Sequence, residues 1–283
     1  MANSEFEYVR GFEQQDAIPP SNWIVVRIDG RGFSKLCEKY NFEKPNDQRA
    51  LDLMNAAATE VVRSLVDVVL AYGQSDEYSF VFHESANLFE RRAAKLATTV
   101  ATTFTAEYCL QWRSFFPDEE LTRPYPTFDG RCVAYPKRKI LKDYLAWRQA
   151  DCHINNLYNT TFWNLVQRND MSGYAAEEAL KGSLAGDKNE ILFSQFGINY
   201  NNEPAVWRKG TVIYRAYDDE TESGPQPHSK GAINRDSKSQ IEKEKKRRQK
   251  ARIAVEYVDI IGDAFWDARP YILAGKRGQV EEE

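Results

Sequence analysis

Residues 68–82 read VVLAYGQSDEYSFVF. Two runs of β-branched and aromatic residues, 68–72 and 78–82, flank the polar stretch Gly73-Gln74-Ser75-Asp76-Glu77. That pattern predicts two strands joined as a hairpin with a carboxylate-bearing tip. Upstream, WIVVRI at 23–28 reads as a buried strand that stops at Asp29-Gly30. Between the two, Leu51, Met54, Ala58, Val61 and Leu65 recur at steps of three and four, one helical face, with Asp47 placed to cap it. Downstream, 87–110 predicts a second helix, with Leu96, Val100, Phe104 and Tyr108 at every fourth position. RCVAY at 131–135 then predicts a fourth strand behind Asp129-Gly130. The order strand, helix, strand, strand, helix, strand is the ferredoxin-like βαββαβ arrangement, an α+β fold with a four-stranded antiparallel sheet and both helices on one face.

Outward from this core the signal thins. Residues 141–184 read as helix, and 191–193 and 211–217 as additional strands or a hairpin. These are helical and β-hairpin C-terminal extensions to a palm-sized first domain at 1–136, with 137–283 as a second region. Residues 218–252 carry almost no large apolar side chain and read as a flexible insert, while 255–272 recovers Tyr, Ile, Phe and Trp and is expected to pack back onto the body.

Composition narrows the class. The 283 residues hold 38 basic and 42 acidic side chains, net −4, so global charge does not announce a nucleic-acid binder. A local patch, KEKKRRQKAR at 243–252, stands out, as do the Lys and Arg residues of 137–148. No stretch approaches 18 consecutive apolar residues, and the N-terminal residues lack a secretory core, so no membrane partner is expected and the location reads as cytoplasmic, with KEKKRRQK also readable as a nuclear signal. Cys37, Cys109, Cys132 and Cys152 form no CxxC pair, and three histidines, His83, His153 and His228, leave little for a zinc site. Trp112, Trp147 and Trp163 are expected in the core.

In the predicted fold the end of the first strand lies beside the start of the third, so Asp29 meets Asp76 and Glu77 at one edge of the sheet. Each alone reads equally as a turn residue. Together they repel, a penalty that a hard divalent cation such as Mg²⁺ removes while sharing its shell with substrate phosphates. Asp29 to Ser34, through Gly30, Arg31, Gly32 and Phe33, offers successive backbone N–H groups to a triphosphate, though no Walker motif is present. Lys44 is placed to neutralise phosphate. Asp47 reads either as a helix cap or as a contact to guanine. Arg92 and Lys95 share a helix face, either solvated or a second phosphate clamp with Arg131. DCHINNLYN at 151–159 concentrates a histidine, three amides and a tyrosine on a helix, either as local polar chemistry or as functional side chains. Lys188 and Asn199 form a further polar group.

Together, DGRGF, YGQSDEYSF, FDGR, KDYLAWRQADCHINNLYN, DKNEILF, GINYN and DIIGDAFW resemble the tRNA(His) guanylyltransferase family in order along nearly the whole chain outside 218–252. The resemblance implies a palm like that of polymerases and nucleotide cyclases, working in the 3′–5′ direction. It implies two Mg ions on Asp29, Asp76 and the Gly30 carbonyl, with Glu77 as the neighbouring acid. It implies ATP and GTP as substrates, held by residues 29–34, Ser75 and Asp76. Lys44 and Asp47 match residues of nucleotide activation and base contact, and Arg92, Lys95 and Arg131 a second triphosphate site. Arg27, His153, Asn155, Lys188 and Asn199 match positions tied to activity or tRNA handling. Histidine tRNA is the implied partner, and a homotetramer the implied assembly. The implied reaction is adenylation of the tRNA 5′-monophosphate, attack by the GTP 3′-hydroxyl, and removal of pyrophosphate. The rival readings are another palm enzyme, such as a cyclase or repair polymerase, and a non-catalytic RNA-binding scaffold.

Overall fold

The computed structural model describes residues 4–217, 242 and 246–274. Strands β1 (Trp23–Gly30), β2 (Val68–Gln74), β3 (Glu77–Phe82), β4 (Phe128–Tyr135), β5 (Thr211–Ala216) and β6 (Arg252–Glu256) form one sheet, in the order β4-β1-β3-β2-β5-β6. Every pairing in it is antiparallel.

Alternation along each strand divides the sheet into two faces. Ile24, Val26, Ile28, Phe80 and Phe82 turn to one side and pack with helices α1 (Phe33–Lys39), α2 (Gln48–Ser64) and α3 (Ala93–Phe115). Helix α2 buries Leu53, Met54, Ala57, Ala58, Val61 and Val62, the face its three-four spacing specifies. Trp23, Val25, Val81, Val212 and Tyr214 turn to the other side, against Leu141, Tyr144 and Leu145 of the long helix α4 (Arg138–Arg168). Phe265, Trp266, Ile272 and Leu273 join that second core, so the apolar closing segment does fold back. A third cluster joins the far half of α4 to α5 (Gly173–Leu180), α6 (Ala185–Phe196) and Tyr200. No helix among the described residues is long and apolar enough to cross a membrane.

The structure corrects the sequence reading at several points. The hairpin turn is only two residues, Ser75 and Asp76, with Ser75 at φ 49°, so the strands run to Gln74 and from Glu77. Two-residue hairpins favour left-handed backbone because it matches strand twist. The helix expected from 87 starts at Ala93, because Phe89, Glu90 and Arg91 are all left-handed. Such residues cost about 1–3 kcal/mol each and need surroundings that hold them. The Arg91 side chain supplies these: it is buried and donates to the carbonyls of Ile18, Pro19, Asn22, Glu84 and Ala86. The helix expected over 141–184 is two helices, broken at 169–172. Residues 191–193 are not a strand but part of α6, where Leu192 and Phe196, four apart, share the buried face. Of the stretch 218–252 read as a flexible insert, 218–241 lies outside the described residues, whereas 246–250 is helical and Arg248 is buried, paired with Asp67 at 3.3 Å. The apolar content of 243–252 hid this, because an arginine is buried here by its charge partner.

Candidate functional site

Strand register builds the site. Asp29, at the end of β1, stands directly opposite Glu77 of β3 on one side and Asp129 of β4 on the other. Residues directly opposite share a face, so three carboxylates form a row across three strands on the α4 face. One step back, Arg27 stands opposite Arg131 and Ser79, setting a second row of opposite charge beside the first. Asp76 arrives from the hairpin turn. Its carbonyl accepts the Gly30 N–H at 3.1 Å, which ties the turn to the end of β1. A Cβ added to Gly30 would lie 2.7 Å from the Asp76 Oδ2 atom and would strike the Phe33 ring. Only glycine lets the backbone and this carboxylate approach so closely.

The electrostatics follow from crowding. Burial, with the charge of Asp29 adding to it, pushes the Asp76 carboxyl above the usual carboxylate range. Burial also raises Glu77, against the pull of Arg148 and Arg27. Arg148 lies 3.1 Å and Arg27 3.5 Å from the Glu77 carboxylate, and Arg27 lies 3.6 Å from Asp29. Among the described residues no group of three or more His, Cys, Asp or Glu side chains is arranged as a metal cage. The arrangement instead offers two carboxylates, from Asp29 and Asp76, and the Gly30 carbonyl. That oxygen-only set suits Mg²⁺, which keeps several waters and shares its shell with phosphates. The raised Asp76 carboxyl, with the Asp29 charge beside it, is what a cation would relieve, so the residues fit the ion.

The remaining candidates divide. The N–H groups of Gly30 and Arg31 are already used, by Asp76 and Thr127, while Gly32, at φ 68°, turns the chain into α1. The N–H groups of Phe33 and Ser34 head that helix, and first-turn donors have no partner within a helix. The Phe33 ring is in the core against Phe128, 4.9 Å between centroids. Lys44 sits over the Trp163 ring at 5.5 Å. Asp47 caps α2: it accepts from the Arg49 and Glu43 N–H groups and from the Arg49 guanidinium. Burial works to raise its carboxyl, but these donors hold it below the usual range. The cap reading of Asp47 therefore describes its contacts here. Arg92 is paired with Glu13 at 2.7 Å and Asp16 at 3.2 Å, and Lys95 is exposed one turn along α3. Arg131 is on the other face of the sheet, with Arg27 and Asp129. Its neighbour Gly130 is the residue facing α3, next to the Ala97 carbonyl. The structure thus does not gather Arg92, Lys95 and Arg131 on one face.

On α4, His153 is half-buried, its ring 5.4 Å from Tyr200, and burial lowers its pKa, with Arg208 nearby adding to the shift. Asn155 is exposed. Its neighbour Asn156 makes the connection: it donates to Asn46 at 2.8 Å and accepts from Tyr200 at 3.0 Å, linking α4 to the loop carrying Lys44 and Asp47. Lys188 donates to the Ser183 carbonyl and Asn199 caps a short 3-10 turn, so both fix local backbone. Of the three tryptophans expected in the core, Trp112 is buried and Trp163 half-buried, but Trp147 is 56% exposed, its ring lying 3.5 Å from the Arg148 guanidinium carbon. The sequence reading held Arg148 only as one of the basic residues of 137–148 and Asn156 only as one of the three amides of 151–159, neither with a contact of its own. The signal for Arg148 was its spacing, three residues before Asp151, an acid–base step on one helix face.

The sequence model described as tRNAHis guanylyltransferase matches residues 6–136, and the one described as Thg1 C terminal domain matches 139–262. The chain is 56% identical to the tRNA(His) guanylyltransferase of Neurospora crassa over 292 aligned positions, covering 100% of both. The crystal structure of the tRNA(His) guanylyltransferase from Saccharomyces cerevisiae superposes with a TM-score of 0.71 at 50% identity, over 74% of this chain and 93% of that one. Bacterial Thg1-like proteins solved with ATP and with GTP superpose at 0.67 and 0.60, at 22% and 19% identity. Each alignment covers 94% of this chain, and 96% and 95% of the bacterial ones. At that identity the bacterial pair speaks for the fold alone.

Proposed function

The chain belongs to the tRNAHis guanylyltransferase family, a family of nucleotidyltransferases, and from that premise we propose that it adds a guanylate to the 5′ end of histidine tRNA by 3′–5′ transfer. ATP adenylates the 5′-monophosphate and releases pyrophosphate. The 3′-hydroxyl of GTP attacks the activated phosphorus, and AMP leaves. Pyrophosphate is then removed from the new 5′ triphosphate end. The observation that carries this reading is the close approach of Asp76 to Gly30, the residue after Asp29, with the Asp29 charge near enough to help raise the Asp76 carboxyl. We read β4-β1-β3-β2, with α2 and α3 on one face, as a ferredoxin-like palm, and 137–283 as the region for tRNA binding and for assembly into a homotetramer.

Asp29, Asp76 and the Gly30 carbonyl would hold the two Mg ions. Bound there, they neutralise triphosphate charge and acidify the attacking hydroxyl. The protein's own part is positioning, the larger share of catalysis in phosphoryl transfer. The head of α1, with Ser75, orients the triphosphate. Lys44 adds positive charge from the loop that Asn46 ties to α4. Arg92 and Lys95 serve a second triphosphate, for which Arg92 first has to leave Glu13 and Asp16. Glu77 acts through Arg27 and Arg148 rather than as a free ligand. His153, Asn155, Lys188 and Asn199 lie along α4 and beyond, on the side we assign to tRNA.

The test is sequencing of the 5′ end of 5′-monophosphorylated histidine tRNA after incubation with protein, ATP, GTP and Mg²⁺. One added guanylate is expected; an unchanged 5′ end with folded protein refutes the reading, and a cyclic product from GTP alone replaces it with a cyclase. Gly30→Ala probes the close approach. Overpacking of this kind costs about 1–3 kcal/mol, and misplacing the reacting groups by an ångström costs on the order of 10²-fold in rate. Thermal melts and guanylate incorporation read the two effects separately. Near-normal incorporation by the alanine variant would remove the argument from close approach.

A further inference from the structure

We propose that Arg148 of α4 is a positioning residue that sets the carboxylate edge of the sheet by clamping Glu77. The inference rests on the reading of Asp29 and Asp76 as the pair that holds magnesium. Arg148 is 6% exposed along its side chain, and its Nη1 reaches both Glu77 oxygens, at 3.1 and 3.3 Å. On the helix side the guanidinium is fixed by Asp151 at 3.5 Å and by the Trp147 ring, 3.5 Å away. Asp151 is in turn 3.4 Å from Gln74 Nε2, on the strand that enters the hairpin. On the sheet side Glu77 is also held by Arg27, which reaches on to Asp29.

The result is a line of alternating charge, Asp151, Arg148, Glu77, Arg27, Asp29, running from α4 to the end of β1. Glu77 is the residue after Asp76 and stands opposite Asp29 in register. A displacement of its carboxylate therefore reaches both acids, one through the backbone and the other through Arg27. Both carboxylates are reached through the one Nη1 atom, and the guanidinium plane that carries it lies on the Trp147 ring, a stacking that a lysine ammonium does not reproduce. The same helix carries His153 and Asn156 in the next two turns, so the register of α4 against the sheet becomes part of the geometry at the reacting end.

The test uses the full-length chain with Arg148→Met and Arg148→Lys, without RNA or nucleotide, and titrates Mn²⁺ as a paramagnetic stand-in for magnesium. Melting temperature and the steady-state kcat and KM for GTP are read alongside. Removing a positive charge beside carboxylates would by Coulomb attraction alone tighten a cation. Loss of positioning does the opposite. The expected result is Mn²⁺ bound about tenfold more weakly by Arg148→Met, with a smaller loss in Arg148→Lys and a fall in kcat larger than any change in KM. Unchanged or tighter Mn²⁺ binding by folded Arg148→Met overturns the inference. Should the methionine variant fail to fold, Arg148→Lys decides: wild-type Mn²⁺ affinity and kcat there would show that charge alone suffices. A wild-type protein that binds no Mn²⁺ would instead sink the reading of Asp29 and Asp76 itself, and this inference with it.

Discussion

Under the proposed function, Asp76→Asn is expected to reduce guanylate addition by on the order of 10³-fold or more, because the carboxylate charge that would hold the cation is replaced by a neutral amide, a loss worth several kcal/mol of charge stabilisation. The substitution keeps the shape of the side chain and leaves intact the backbone bond from Gly30 to the Asp76 carbonyl. Stability is expected to move the other way. Burial, with the charge of Asp29 behind it, raises the Asp76 carboxyl in the folded chain. A carboxyl raised on folding costs nothing below its unfolded pKa, and its penalty is fully present above its folded pKa. At neutral pH, in a chelator, the asparagine variant is therefore expected to melt at or above the wild type, and the gap should close as pH falls into the carboxylate range. Full incorporation of guanylate by this variant would end the assignment of Asp76. Lower stability at neutral pH would end the account of its crowding.

The second large effect is on folding. Arg91→Met removes five donated hydrogen bonds at once, to the carbonyls of Ile18, Pro19, Asn22, Glu84 and Ala86, at 2.6 to 3.1 Å. Buried acceptors left without a partner cost about 1–3 kcal/mol each. Water will reach some of them, so a total of about 4 kcal/mol is expected, a drop of roughly 10 °C in melting temperature. The left-handed backbone at 89–91 loses its support in the same step. Arg92→Met, next in sequence, breaks only partly exposed pairs with Glu13 and Asp16, and such pairs are worth about 0–1 kcal/mol. Equal melting temperatures for the two variants would contradict the structural distinction between these neighbours.

That distinction was not legible in the sequence. Arg91-Arg92 reads as two charges at the start of a helix, and nothing local tells that one turns inward onto carbonyls from two separate segments, 18–22 and 84–86. What was legible had local periodicity. The β-branched and aromatic run at 78–82 marked β3, the three-four spacing of 51–65 marked the buried face of α2, and the order of elements brought Asp29 beside Glu77. The hairpin turn was read too long because Gln74 and Glu77 look like turn residues; they are strand ends, and Glu77 is tolerated there by arginines that are remote in sequence. Asp47 showed its helix-capping chemistry plainly. The grouping of Arg131 with Arg92 and Lys95 failed on a one-residue matter: in a strand, neighbours face opposite ways, and it is Gly130 that meets α3. The helix and pairing of Arg248 were hidden because hydropathy treats every arginine as solvent-facing.

The sheet carries one consequence for how such a chain is inherited. Residues 6–136 and 139–262 correspond to two separately described family segments, yet β5 of the latter hydrogen-bonds to β2 of the former. Severing the chain between them would strip a neighbour from β2 and lay bare both its amide ladder and the apolar side otherwise roofed by Leu141, Tyr144 and Leu145. The segment 6–136 is thus not a cassette that could be lifted out with its sheet intact. A substitution along the β2–β5 seam in either segment is felt by the other, because the two are halves of one laminate.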